Sequence, residues 1–385
     1  MPGFEFATTH RVLVEAGAAG RLPELCQERG ASRVLLVTDP GLRSTPLLGP
    51  VEDSFREAGM PLAIFDQVSA DPADTIVLDA ARQAREERAD LVIGFGGGSS
   101  MDVAKLVALL AHPDANQQLS DIYGVGLATG PRLPLIQVPT TAGTGSEVTP
   151  VAIVTTGATT KAGVVAPSLL PDLAVLDAEL TLGLPAHVTA ATGVDAMVHA
   201  IEAYTSAHKK NPYSDMLARE ALRLLSDNLV TAVKEGGNLA AREACLLGAM
   251  MAGQAFANAP VAAVHALAYP LGGHFHIPHG LSNSLVLPEV LKFNAVVAAP
   301  LYAELAPILS DQPFTDASSG AQALIGALET LIDAVGLPVR LRDAGVSEDS
   351  LETLAADAML QQRLLVNNPR EVSEADALAI YKAVY

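Results

Sequence analysis

The stretch Ala89–Ser100 reads ADLVIGFGGGSS, and Met101–Ala111 continues it as MDVAKLVALLA. An apolar run ends in a cluster of glycines, and an apolar-periodic segment starts directly after it. That order predicts a buried strand, a glycine turn and the first turn of a helix. Glycines let a ligand approach the backbone, and a helix N-terminus aims unpaired N–H groups at it, which suits a pyrophosphate. A plain tight turn uses the same residues. The spacing also departs from the G-x-G-x-x-G fingerprint. Ser99 stands at the third glycine, and no strand ending in an acid follows about 20 residues later.

Outward from this stretch the strand–helix alternation repeats. SRVLLVTD (Ser32–Asp39), PLAIFDQV (Pro61–Val68) and RLPLIQVPTT (Arg132–Thr141) read as buried strands, and Asp74–Arg88 as an Ala-rich helix. Such alternation predicts an α/β unit with a parallel sheet. From about Leu184 the chain changes to long Ala/Leu-rich segments with apolar residues at i, i+3 and i+4, as in Asp215–Val233 and Ala241–Phe256. The expectation is an α/β domain over 1–184 and an all-α domain over 185–385, with Asp311–Gly320 as a surface loop.

Half of the 385 residues are apolar, enough for a substantial core and too long a chain for a comfortable single one. The 43 acidic against 24 basic residues give a net charge of −19, which repels phosphate backbones and anionic membranes. Neither a nucleic-acid nor a membrane partner is expected. Cys26 and Cys245 lack metal-type spacing and fit a reducing compartment. No basic-then-apolar leader is visible, and no run reaches the ~20 uninterrupted apolar residues of a membrane span. A cytoplasmic location is the expectation.

Two polar features accompany the sheet. Asp39 closes the Ser32–Asp39 strand, where its carboxylate would accept ribose hydroxyls and repel a 2′-phosphate, favouring NAD over NADP. Taken alone, an ordinary turn aspartate before Pro40-Gly41 is the simpler account of it. Pro139–Thr149, PTTAGTGSEVT, interleaves hydroxyls with glycine after another strand, as a cofactor contact or a polar loop would.

The helical half concentrates titratable groups. Val261–Gly280, VAAVHALAYPLGGHFHIPHG, holds His265, His274, His276 and His279, four of the chain's nine histidines. Upstream, Gly193–Tyr204 places Asp195 and His199 at i and i+4 on one helix face. Met197, Val198 and Ile201 make that helix apolar on most sides, and a carboxylate buried there needs a cation or several hydrogen bonds. Asp195, His199, His265 and His279 would offer one oxygen and three imidazoles, a set suited to Fe(II), Zn(II) or Co(II). An Asp–His surface pair and a satisfied core histidine remain the alternative. His274 and His276 read as loop residues outside the set.

Taken in order, GGGSSMDVAK, PTTAGTGSEVTP, LLPDLAVLDAELTLGLP, TGVDAMVHAIEAY and VHALAYPLGGHFHIPHG resemble the iron-dependent (group III) alcohol dehydrogenase family, from about Asp39 to Asn294. The resemblance implies an N-terminal dinucleotide-binding α/β domain and a helical metal domain, in a dehydroquinate-synthase-like architecture. It implies reversible hydride transfer between NAD(H) and a small primary or secondary alcohol or diol and the matching aldehyde or ketone. By position, Asp195, His199, His265 and His279 match the ligands of Fe(2+), with Zn(2+) the competitor. Gly96, Gly97, Gly98 and Ser99 match the pyrophosphate loop and Asp39 the ribose acid. Thr140, Thr141, Thr144 and Lys161 match cofactor contacts, and Phe256 lines the substrate pocket. Tyr269 stands where many members carry a histidine, making Tyr269 and His274 candidate proton relays. Val151, polar in some relatives, implies a less polar pocket. Family members are often homodimers or larger.

Rival readings share the scaffold. One is hydroxyacid–oxoacid transhydrogenation with the nicotinamide recycled in place. A dehydroquinate-synthase-like lyase would carry a glutamate ligand, which Asp195 does not match. A non-catalytic NAD or metal sensor would bind without turnover.

Overall fold

The structure is a computed structural model describing residues 3–157 and 160–385. Its first half runs β1 (Val12–Val14), α1 (Leu22–Gln27), β2 (Val34–Val37), α2 (Pro40–Arg43), α3 (Leu48–Glu57), β3 (Leu62–Phe65), α4 (Asp74–Glu86) and β4 (Leu91–Gly96). It continues through α5 (Gly98–Leu110), β5 (Gly124–Val125), β6 (Leu135–Pro139), β7 (Val151–Thr156), β8 (Thr160–Val165) and β9 (Leu173–Leu176). Helices follow: α6 (Ala186–Thr205), α7 (Pro212–Lys234), α8 (Leu239–Asn258), α9 (Ala263–Phe275) and α10 (His279–Leu309). The chain closes with α11 (Ala317–Ala334), α12 (Leu351–Ala358), α13 (Gln362–Leu365) and α14 (Glu374–Ala383).

A six-stranded sheet in the order β1-β9-β6-β4-β2-β3 is parallel throughout. Both faces are covered, which explains the unbroken apolar runs in its strands. On β2, Leu35 and Val37 join the core with Val77, Val103 and Val107, while Val34 and Leu36 join the opposite core with Leu22, Val51 and Phe55. One element escapes the strand–helix reading. A three-stranded sheet, β5-β8-β7, pairs β7 antiparallel with β8 from Val151↔Val165 to Thr156↔Thr160. Its signal is a period of two, with Ala152 and Val154 buried between half-buried Val151 and Ile153.

Beyond β9 the described residues form helices and no strand. The expected loop at Asp311–Gly320 ends early, because Asp316 caps α11 with its carboxylate on the Ser319 N–H at 2.8 Å. By length and composition α10 could cross a membrane, but 44% of its apolar window is buried, and α6, α9 and α11 pack on it.

The chain forms two compact units. The α/β unit holds Thr8–Thr141 and Gly145–Leu182; the helical unit holds Gly183–Tyr385 with Ala142–Thr144 and the N-terminal residues through Ala7.

Candidate metal centre and cofactor loop

After β2 the chain turns to the sheet edge, and after β4 it runs the other way, so the ends of these neighbouring strands form a topological switch point, where ligands bind in open α/β sheets. Asp39 follows β2, while Gly96 closes β4 and Gly97–Ser99 lead into α5. Gly96 has φ +150°, and a Cβ there would meet the Ser100 Oγ at 2.9 Å, so only glycine fits the turn. The same point lies 3.5 Å from Asp39 Oδ2, so the carboxylate reaches the glycine turn. Its Oδ1 accepts the Leu42 N–H at 2.8 Å and caps α2. The turn aspartate and the ribose acid are therefore compatible in one side chain. Thr140 N–H donates to Gly96 at 3.0 Å, and Thr141 Oγ1 lies beside Gly97. Asp39, Gly96, Gly97, Gly98, Ser99, Thr140 and Thr141 thus share one corner of the α/β unit. Thr144 belongs to the helical unit, and Lys161 pairs with Asp71 and the Thr155 hydroxyl.

In the helical unit, α6 is buried at every residue from Gly193 to Thr205, and it presents Asp195, His199 and Glu202 at i, i+4 and i+7. Gly280, in the first turn of α10, approaches α6 so closely that a Cβ would lie 2.3 Å from the Ala191 carbonyl. That approach sets His279 beside Asp195, with Nε2 3.7 Å from Oδ1. His265, in the first turn of α9, brings its Nε2 to 3.9 Å from the same oxygen. One ligand atom each from Asp195, His265 and His279 lies within 4.8 Å of the others. Asn283 stands among them, its amide donating to Asp195 Oδ1 at 2.5 Å with His265 Nε2 and His279 Nε2 at 3.3 and 3.2 Å.

His199 is the one expected ligand outside that triplet. Its ring stacks on His265 at 4.7 Å between centroids, and its Nδ1 is buried with no hydrogen-bond partner among the described residues. Burial lowers its pKa to about 3, so the imidazole is neutral and keeps its lone pair. Burial would raise Asp195, but His199, His279, His265 and the Asn283 amide outweigh it and hold the carboxyl below its usual value. An ionised oxygen and a neutral His199 imidazole with an unmatched buried nitrogen fit a borderline-soft divalent cation. Asp195 and His265 are 3% exposed and His279 is 43% exposed, so the cluster is closed on one side and open at His279. A catalytic metal needs such an opening.

Phe256 stacks on His199 at 4.3 Å, an apolar wall beside a candidate ligand, and Tyr269 sits 5.8 Å from the His279 ring. His274 departs from its loop reading: it lies in the last turn of α9, and its Nε2 is 2.6 Å from Asp357. His276 ends that helix in the left-handed conformation, with φ 54°. Val151 opens β7, and its carbonyl accepts from Lys105 Nζ at 2.6 Å.

Three polar residues went unread in the sequence. Glu202 and Asn283 carried a helical signal, lying on the faces of His199 and His279 at i+3 and i+4. Lys105, fully buried in α5, donates to Ser146 Oγ at 2.8 Å, Thr149 Oγ1 at 3.1 Å and Val151 O. Asp102 takes the Ser146 hydroxyl at 2.6 Å and the Ile153 N–H at 2.9 Å. Burial lowers Lys105 and raises Asp102, and it raises neighbouring Glu147 to about 7.

Two family profiles match the chain: "Iron-containing alcohol dehydrogenase" over residues 9–178 and "Fe-containing alcohol dehydrogenase family, C-terminal" over 189–385. The chain is 40% identical to long-chain-alcohol dehydrogenase 1 of Geobacillus thermodenitrificans, covering 96% of this chain and 93% of that protein. It is 35% identical to the NAD-dependent methanol dehydrogenase of Bacillus methanolicus, covering 96% and 97%. The crystal structure of a 1,3-propanediol oxidoreductase superposes over all of both chains with a TM-score of 0.95 at 36% identity.

Proposed function

This chain belongs to the iron-containing alcohol dehydrogenase family, and we propose that it passes hydride between NAD(H) and small primary or secondary alcohols or diols at a metal held by Asp195, His199, His265 and His279. The convergence of Asp195, His265 and His279 around Asn283, beside the unmatched His199 nitrogen, carries this assignment. The helical unit contributes the metal site. The α/β unit contributes the nucleotide site, with the pyrophosphate on Gly96–Ser99 and the ribose on Asp39.

A bound Fe(2+) or Zn(2+) would supply Lewis acidity toward the alcohol oxygen, and the nicotinamide would accept the hydride. The residues do the rest. Asp195 would offset the cation's charge at short range and the three imidazoles would complete the set, while Phe256 keeps the His199 side apolar. Tyr269, next to exposed His279, is placed to pass the alcohol proton outward. His274 is engaged with Asp357 and is the poorer relay. Val151 is the pocket residue proposed for the α/β unit, and Thr140 and Thr141 steady the cofactor loop. Thr144 and Lys161 complete the cofactor contacts, Lys161 after releasing Asp71. The protein acts in the cytoplasm as a homodimer or larger assembly.

The test is chelation followed by anaerobic return of Fe(II), Zn(II) or Mn(II), with NADH formation followed over short alcohols and diols. Activity should vanish with the metal, return with one ion and be absent in His265→Ala, a loss of about a thousandfold or more, as several kcal/mol of transition-state stabilisation implies. Full activity after verified metal removal would sink the metal assignment. Oxoacid reduction by a hydroxyacid without added NAD would convert the reading to transhydrogenation.

A further inference from the structure

Glu202 takes no part in the ligand set, yet it is 3% exposed and its carboxylate meets two backbone N–H donors and one imidazole nitrogen. Oε1 accepts the Val264 N–H at 2.7 Å; Oε2 accepts the Ala262 N–H at 3.0 Å and faces His265 Nδ1 at 2.6 Å. Ala262 and Val264 flank the start of α9, where α8 and α9 meet at 107°. The amides that the break strips of helical partners are thereby satisfied by a side chain from α6.

An ionised carboxylate has no proton to give, so a bond of 2.6 Å to an imidazole nitrogen requires the proton on His265 Nδ1. In the neutral imidazole, the form a cation binds, Nε2 then carries the lone pair, and Nε2 is the nitrogen turned toward Asp195 and Asn283. Resting on the metal assignment above, we propose that Glu202 is a positioning residue that locks His265 in its Nδ1–H tautomer and aims Nε2 at the cation. Glu202 and His199 leave α6 one turn apart, so a single helix supplies a ligand and the group that orients another. Carboxylate partners of ligating imidazoles raise their basicity, and losing one costs about 10–100-fold in metal affinity.

Glu202→Gln keeps the shape and reverses the logic. Its amide would donate to His265 Nδ1, favouring the Nε2–H tautomer, which blocks the coordinating nitrogen. The experiment titrates Co(II) into metal-free wild type and Glu202→Gln anaerobically, reading affinity and visible absorption bands, with thermal melts of both metal-free proteins. We expect the variant to bind Co(II) about 10–100-fold more weakly, with altered bands, at a similar metal-free melting temperature. Equal affinity and unchanged bands would reduce Glu202 to a capping group of α9 and overturn the proposal, leaving the metal site intact. A wild type that binds no Co(II) would bring down both readings together. Should the variant fail to fold, long-range ¹H–¹⁵N spectra of wild type labelled at histidine decide the matter. A His265 signal from the Nδ1–H form supports the proposal; an Nε2–H or mixed signal overturns it.

Discussion

The Lys105 cluster of the α/β unit and the Asp195 cluster of the helical unit are both charged and both largely buried, yet they are finished to different degrees. The Lys105 ammonium has three N–H bonds to give and three oxygens receive them. Asp102 in turn is met by Ser146 and Ile153. In the Asp195 cluster the nitrogens of His265 and His279 crowd one amide, and His199 Nδ1 and Asn283 Oδ1 have no partner among the described residues. Buried polar groups without partners cost stability, so they persist where something else completes them. A buried network that closes on itself joins helix α5 to the 146–153 segment; one that stays open marks a place where a ligand arrives.

The contrast can be broken in several ways. Lys105→Met should cost about 3–5 kcal/mol, because it strands Asp102 in the interior, and denaturant midpoints would show it. A loss below about 1 kcal/mol would mean that the network holds little together. Glu147 comes next. Its folded-state pKa of about 7 exceeds the ordinary 4.5, so the folded chain binds more protons than the unfolded chain between those values. Its contribution therefore falls as pH rises from 4.5 to 7. Glu147→Gln should gain on wild type across that window by up to about 3 kcal/mol, in unfolding curves at pH 5 and pH 8.

His199→Leu tests the open cluster. Removing an unmatched buried nitrogen should leave the metal-free chain within about 1 kcal/mol of wild type, or above it, while Co(II) affinity collapses. A metal-free melting temperature lowered as far as that of Lys105→Met would erase the distinction. Asp39→Asn should change stability least, by less than about 0.5 kcal/mol, since asparagine caps helices as well as aspartate does. Steady-state rates with NADP should nonetheless rise relative to NAD, because the carboxylate that repels a 2′-phosphate is gone.

Much of this was legible in the residues. Parallel strands covered on both faces are continuous apolar runs, and VLLV and LVIGFG announce themselves as such. Asp195 and His199 declared a shared face by spacing alone. The β7–β8 hairpin was hidden because hydroxyls and glycines surround it, and its alternation is weak without knowing which face is buried. Glu202 is readable as a third member of the α6 face, but its task depends on α9 breaking away at 107°, a fact of packing. His274 misled for the same reason: a histidine between glycine and proline signals looks like loop until Asp357 is seen against it.

The helical unit draws its chain from three separate addresses, and this bears on how such a protein can be divided or recombined. The Asn258 amide receives the Ala7 N–H at 2.8 Å and donates to the Ala7 carbonyl at 2.9 Å, while Gly143 lies so close to Thr192 of α6 that a Cβ there would sit 2.7 Å from the threonine Cβ. A gene cut at codon 184 would therefore deliver a C-terminal product with an exposed amide at the end of α8 and a bare flank on α6 beside Thr192. Its N-terminal counterpart would carry both missing pieces with nothing to seat them. The two halves are separate in architecture and joint in inheritance: recombination that exchanged one alone would also have to import residues 3–7 and 142–144 from the other.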